Sequence, residues 1–482
     1  MSIKHKSHRV SSKVPPPSGR KPSLRLTARE ADSLLDDLRA YHRRLAASFQ
    51  RREQRQWSLF YLCGQLSNLK RKTIEPMILE LKGLDANAVR ALDQFMGAGR
   101  WDARRLVHGH QAMVAESLGD PEAVVIVDGS GFPKEGHASV GVERQYCGRL
   151  GKVANCQEGV FLVYASPLGY TFLDSRLYLP KTWFEDAAAE RWKACGIPDK
   201  VTFQTEPELA LAMVQELVTR GVVPFRWVTA DEHFGQNPAF LQGIADLGKC
   251  YFAEVPSDTR AWLRMPAIEW PGPGPLGRPR TKARVALHAP RPREVRELAR
   301  QLPRHAWTRY FIKEGSKGPM RAEFAFLRVI SVRDELPGPR VWLIIRRSLG
   351  TPTEMKFYFS NASRKIAPRE LAQLSGWRWP IGTTLEEGKG EIGLDQYELR
   401  TWPGWQHHMV QSFVAHHFLI KVRLKFKKSS SDDDRSSPRV DGQCPSGRRR
   451  PFGRHPGSSG IPATTELCRL SFASQDDAKT LS

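Results

Sequence analysis

Two aspartates stand where the sequence could build a reactive site. Asp128 closes the run AVVIVD (residues 123–128) and Asp231 closes FRWVTAD (225–231). Each run is a short apolar stretch rich in β-branched or aromatic residues, the pattern of a buried strand, and each ends on an acid. Carboxylates delivered by neighbouring strands are hard oxygen donors. They suit Mg²⁺ or Mn²⁺, ions that keep several waters and bind phosphate substrates. Phosphodiester cleavage with two metals about 3.5 to 4 Å apart needs one shared carboxylate and further ones for each ion, so two acids leave the set incomplete. A loop acid that only caps a helix or turn is the competing reading for either residue alone.

Other metal-binding patterns are weak. The seven cysteines, at 63, 147, 156, 195, 250, 444 and 468, contain no C-x-x-C pair. His407-His408 and His416-His417 are adjacent pairs. On a helix, neighbours point about 100° apart and cannot both face one ion. The histidines therefore predict an amphipathic, half-buried helix.

The elements that must position the aspartates follow from periodicity. GVFLVYAS (159–166) and YTFLDSRLYL (170–179) read as strands joined by a turn at Pro167-Leu168-Gly169. A helix runs from Glu206 to Arg220, with Thr205 and Glu208 forming a capping box. FRWVTAD is the next strand, Asn237-Pro238 opens a helix to about Gly248, and CYFAEV (250–255) is a further strand. The order is three strands, helix, strand, helix, strand, and two of the strands end in Asp.

Around this core the organisation is read as six segments. Residues 1–26 are a flexible basic arm. Residues 27–120 have helical periodicity (Leu34, Leu35, Leu38, then Phe60, Leu62, Leu66) with Arg and Lys on outer faces, as a DNA-binding domain would. The first part of the core spans 121–265. A β-rich insertion covers 266–370, opening with PAIEWPGPGPLGRPR and continuing with TRYFIK, AEFAFLRVISV, VWLIIRR and MKFYFS. Core helices resume over 371–426. Residues 427–482 are Ser, Arg, Gly and Pro with few large apolar residues, so they read as a disordered tail.

Lys and Arg number 74 against 51 Asp and Glu, a formal charge of +23 over 482 residues. Such an excess points to a polyanion, and nucleic acid is preferred to membrane because no 18-residue stretch is apolar and uncharged. The basic N-terminus lacks the apolar stretch of a secretory signal, which makes the cytoplasm the expected location.

The blocks VDGSGFPKEG, RQYCGRLGKVANCQ, VTADEHFG, EGSKGP and RWPI…EEGKGEIGLDQYELRTWPGWQHHM occur in this order between about Arg51 and Lys425. They resemble bacterial insertion-sequence transposases of the DDE superfamily, DDE-5 endonuclease group. The resemblance implies an α/β fold with an RNase H-like catalytic core, interrupted by a β-rich insertion, and Mg²⁺ (or Mn²⁺) as cofactor. It also implies double-stranded DNA as partner, both terminal inverted repeats and target, a homodimer in the synaptic complex, and a place on the bacterial nucleoid. Asp128, in Asp128-Gly129-Ser130, becomes the first acid and Asp231 the second.

In related transposases the third acid lies on a helix in the pattern Y-x2-R-x3-E-x6-K. Here Arg378 and Lys389 fall in register, but Ser375 holds the Tyr position and Gly382 the Glu position. Family members read RWPIE where this chain has Arg378-Trp379-Pro380-Ile381-Gly382. Glu386 lies one turn further on, too far to replace a ligand without rearrangement, and is expected to be solvated. The tail also departs from the family, and a frameshift would account for it. Two readings lead: a transposase lacking one catalytic carboxylate, and a DNA-binding derivative acting as repressor or competitor without catalysis. A metal-dependent nuclease of host RNA ranks last, since it predicts neither the long basic insertion nor the GLDQYELRTW block. Arg378 and Lys389 are candidate phosphate contacts by resemblance, and Lys134 and Lys152, flanking the first acid, by position. Trp270, Trp307 and Trp342 are expected to pack in the core, with stacking on an unpaired base as the alternative.

Overall fold

The computed structural model describes residues 28–271, 282–315 and 318–433. The basic arm, most of the Pro/Gly-rich stretch and the tail from 434 onward lie outside the described residues.

The chain begins with α1 (Ala28–Arg43), α2 (Arg52–Leu66), α3 (Ile74–Lys82), α4 (Ala86–Gly97) and α5 (Ala103–Leu118). Asp85 and Asp102 cap α4 and α5 with their side chains, as short acids do for exposed N–H groups. Four strands follow: β1 (Val124–Pro133), β2 (Glu143–Cys147), β3 (Lys152–Ser166) and β4 (Gly169–Tyr178). Then come α6 (Ala189–Ala194), α7 (Glu206–Arg220), β5 (Trp227–Ala230), α8 (Glu232–Gly235), α9 (Pro238–Asp246), β6 (Cys250–Val255) and β7 (Arg260–Trp262). Thr205 and Glu208 form the expected capping box on α7, and Asn237 caps α9.

The next stretch contains β8 (Ile268–Glu269), β9 (Arg284–Val285), β10 (Arg293–Glu294), α10 (Val295–Arg300), β11 (Thr308–Gly315), β12 (Gly318–Arg333), β13 (Leu336–Arg347) and β14 (Met355–Ser360). The chain closes with α11 (Pro368–Leu374), α12 (Trp379–Glu387), a π-helical turn (Gly388–Ile392) and α13 (Trp402–Asp433).

Among the described residues one 12-stranded mixed sheet dominates, in the order β10-β7-β12-β13-β14-β6-β5-β1-β3-β2, with β11 beside β12 and β4 beside β3. The β1–β5 and β5–β6 pairs are parallel. Alternation along β1 separates two cores. Val124, Ile126 and Phe132 face a layer containing α12 and α13, whereas Val125 and Val127 face α7 and α9.

Several expectations need correction. The first strand does not end at Asp128. It continues to Pro133, because β3 pairs with it from Val124↔Ala165 to Pro133↔Cys156. Gly129 and Gly131 are therefore strand residues, at positions where a side chain would be crowded. A Cβ at Gly129 would meet the Glu158 and Glu206 carboxylates at 3.1 and 3.3 Å, and one at Gly131 would meet Cys147 Sγ at 2.7 Å. RQYCGRLGKVANCQ forms the β2–β3 hairpin, whose polar composition concealed both the strand β2 and the early start of β3.

The strands of the expected insertion continue the central sheet through the β14–β6 pairing. The N-terminal helices share one hydrophobic core with α13, from Leu38 and Phe60 to Phe413 and Val414. α13 itself is not half-buried: His407, His408, His416 and His417 are all inside, with hydrogen-bond partners. It also runs past residue 426, to Asp433.

Candidate active site

The register of the parallel strands brings the two aspartates together. Ile126 lies opposite Thr229, so two residues on, Asp128 stands beside Asp231. Asp231 follows β5 directly and is the N-cap of α8, its side chain accepting from the Phe234 N–H at 3.3 Å. Its second oxygen faces Arg378. The guanidinium Nη2 lies 3.8 Å from Asp128 Oδ2 and 3.6 Å from Asp231 Oδ2. Arg378 precedes α12, where Pro380 in the first turn suits a helix start.

A cavity of about 260 Å³ opens here, lined by Asp128, Glu254, Ser375, Arg378 and Gly382 among others. Gly382 thus stands at the same site as Asp128. It is exposed on α12, and a Cβ built there would meet nothing within 4 Å. Ser375, in the position of the family tyrosine, bonds back to the Ala372 carbonyl.

The remaining candidates separate. Glu386 is exposed. Glu387 is buried and turned away, accepting from Arg423 Nη1 at 2.9 Å and from the Tyr170 hydroxyl at 3.3 Å, with His416 Nε2 at 3.2 Å. Lys389, on the π-helical turn, donates to Ser130 Oγ at 2.8 Å, two residues along β1 from Asp128. Lys134 is committed within the fold: its ammonium donates to the Tyr397 carbonyl and lies 3.7 Å from that ring's centroid. Lys152 is exposed at the start of β3. Trp307 and Trp342 are half-buried, with Arg347 and Arg328 over their rings. Trp270 is 74% exposed, against its expected place in the core.

Charge crowding marks the site. Burial pushes the Asp128 carboxyl up to about 6, repulsion from Asp231 adds to this, and Arg378 opposes it. The sequence reading missed three further acids. Glu254, on β6, accepts from Arg378 Nη1 at 3.1 Å and from Lys356 Nζ at 2.8 Å. Glu158 and Glu206 flank Gly129 on the opposite face of β1, and burial pushes Glu158 up to about 8. The acid near the end of CYFAEV was the available signal for Glu254, which the strand register sets level with the two aspartates.

Among the described residues, no three His, Cys, Asp or Glu side chains stand close enough together to hold a metal ion. The two aspartates nevertheless converge on one cationic nitrogen, and hard carboxylate oxygens around a positive charge are the donor set of Mg²⁺ or Mn²⁺. The residues present fit two of the ligands such an ion needs.

Residues 44–319 match the profile of the DDE superfamily endonucleases, more than half of the sequence, and the chain belongs to that family. The match includes Asp128 and Asp231 and ends before α12. A probable transposase for insertion sequence element IS701 from Microchaete diplosiphon is 26% identical over 342 residues, covering 70% of this chain and 76% of that protein. No helix among the described residues is long and apolar enough to cross a membrane.

Proposed function

We propose that the chain is an insertion-sequence transposase built on an RNase H-like core, that it binds the ends of its element, and that Asp128 and Asp231 form its metal-binding pair. The observation that carries this reading is the approach of both carboxylates, from adjacent parallel strands, to a single cationic nitrogen in a cavity that Gly382 also lines. In our reading 121–265 and 371–426 make up the core, 266–370 its β-rich insertion, and 27–120 a DNA-binding region, with a homodimer joining two ends on the nucleoid.

When bound, a divalent ion would polarise the scissile phosphate and activate the attacking oxygen. Asp128 and Asp231 would hold it. Lys389 and Arg378 supply positive charge for the phosphate, and exposed Lys152 reaches the backbone further out. Lys134, turned to Tyr397, is assigned a packing role instead. The position of the third family carboxylate is Gly382, and neither Glu386 nor Glu387 faces the cavity. We therefore assign to this copy DNA binding with strongly reduced cleavage, the state of a repressor or competitor of an intact copy.

The test is cleavage of duplexes carrying the element's terminal repeats, in Mg²⁺, by the wild-type chain and by Gly382→Glu. Restored cleavage in the variant is expected, by a factor on the order of 10³ if a metal ligand has been returned. Equal rates in the two proteins would refute the assignment of Gly382. DNA affinity should fall steeply between about 50 and 200 mM salt in both, because each phosphate contact releases a counterion.

A further inference from the structure

Arg378 lies where the two aspartates would draw a cation, and it is tied from the opposite side. Its contact with Glu254, at 3.1 Å, has hydrogen-bond length. The approaches to Asp128 and Asp231, at 3.8 and 3.6 Å, are longer than the roughly 2.7–2.9 Å of a charge-assisted hydrogen bond. The firm tie is thus to Glu254, and the acid pair sits across a wider gap that the guanidinium spans.

Glu254 owes this position to strand register. Ala230 lies opposite Ala253, so Glu254 stands beside Asp231 as Asp231 stands beside Asp128. Its side chain is 7% exposed and both its oxygens are occupied, one by Arg378 and the other by Lys356. A carboxylate so deeply placed must be paired, and here it is paired to fix a neighbour.

We propose that Arg378 is a built-in counter-ion occupying the cation position between Asp128 and Asp231, and that Glu254 is the positioning residue that keeps it there. This rests on the reading of the two aspartates as the metal pair. Guanidinium and divalent ion then exclude each other. A phosphate that drew Arg378 away would raise metal affinity, and metal would raise the affinity for that phosphate by the same factor.

The experiment is Mn²⁺ binding to the full chain near pH 7.5, followed by calorimetry, with thermal melting to confirm folding. Arg378→Gln should bind Mn²⁺ about tenfold more tightly or better, since a charge under 4 Å from both ligands has gone. Glu254→Gln should also tighten binding, even though it removes a negative charge from the neighbourhood. Lys356→Gln should leave affinity unchanged or lower it, because Glu254 is then left wholly to Arg378. A simple effect of local charge has the opposite signs: Glu254→Gln would weaken binding and Lys356→Gln would strengthen it. Either result would overturn the positioning role.

Should Glu254→Gln fail to fold, Glu254→Asp keeps the charge but loses one methylene of reach, and the same tightening is expected. Arg378→Gln combined with Asp128→Asn separates the two levels of argument. If the double variant binds as well as Arg378→Gln alone, the ion sits elsewhere and the aspartate reading has failed. If binding is lost while Glu254→Gln weakens it, the aspartates stand and the role of Glu254 is refuted.

Discussion

Asp128→Asn should make the protein more stable and at the same time destroy the metal site proposed above. The Asp128 carboxyl is pushed from its ordinary 3.8 up to about 6, first by burial and then by Asp231, with Arg378 only partly offsetting this. An acid whose pKa is raised on folding binds its proton more tightly in the native state. Its ionised form therefore destabilises the fold, fully above about pH 6 and not at all below the unfolded value. A shift of about two units corresponds to roughly 3 kcal/mol, and the loss of attraction to Arg378 is already contained in that figure. Asparagine can still accept from the Gly129 N–H, which Asp128 Oδ1 meets at 3.0 Å. The expected gain at pH 7.5 is roughly 1–3 kcal/mol, read as a shift of a few degrees in melting temperature. The gap between variant and wild type should close as pH falls from 7 toward 4, and wild-type Mn²⁺ affinity should decline below about pH 6. A variant less stable than wild type at pH 7.5, or a gap that widens in acid, would refute the reasoning.

Other consequences lie away from the aspartates. Glu387→Ala leaves buried His416 without its carboxylate partner and the partly exposed Arg423 unpaired, and should cost roughly 1–3 kcal/mol in urea denaturation, whereas a purely surface role would leave stability within about 0.5 kcal/mol. The buried histidines should make the fold acid-labile. Burial lowers His42, His110 and His407 to about 4 and His408 to about 3, so unfolding takes up protons below the ordinary 6.5. Each contributes a loss approaching about 1.4 kcal/mol per pH unit between 6.5 and its lowered folded value, and urea midpoints at pH 7, 6 and 5 should fall progressively; a flat series would count against neutral buried rings.

What the sequence made legible was local. The capping box of α7, the Asn237 cap of α9 and the runs that became β11 to β14 carry their signals within a few residues. The polar hairpin did not, because β2 alternates half-buried and exposed positions, with only Cys147 buried, and is held by pairing with β3. The burial of α13 was hidden for a related reason. Its histidines look hydrophilic in isolation, yet Tyr41, Tyr61, Ser117 and Thr171, far off in sequence, supply their hydrogen bonds. At the site, both aspartates were readable as the acids that close apolar runs, although the strand of Asp128 runs on to Pro133. Their counter-ion geometry was not, since it depends on β6 and α12 arriving on one face of the sheet.

Gly382 tests how charge and stability trade at that face. Asp128, Asp231 and Glu254 set three negative charges against the two positive charges of Arg378 and Lys356, a net of −1 when all are ionised. A fourth carboxylate at 382 takes this to −2. Helix propensity alone favours Gly382→Ala by about 1 kcal/mol and Gly382→Glu by slightly less, and the open space at the Cβ lets both side chains in. If the glutamate enters the cavity beside Asp128, repulsion should cancel its propensity gain, leaving Gly382→Glu below Gly382→Ala by more than the few tenths that propensity allows. Added Mn²⁺ should then narrow the difference, because the ion binds the folded state of the glutamate variant more tightly. Melting temperatures of the two variants with and without Mn²⁺ decide the matter: equal stabilities in both conditions would mean that a side chain at 382 points to solvent and that the third carboxylate of the family does not belong at this position.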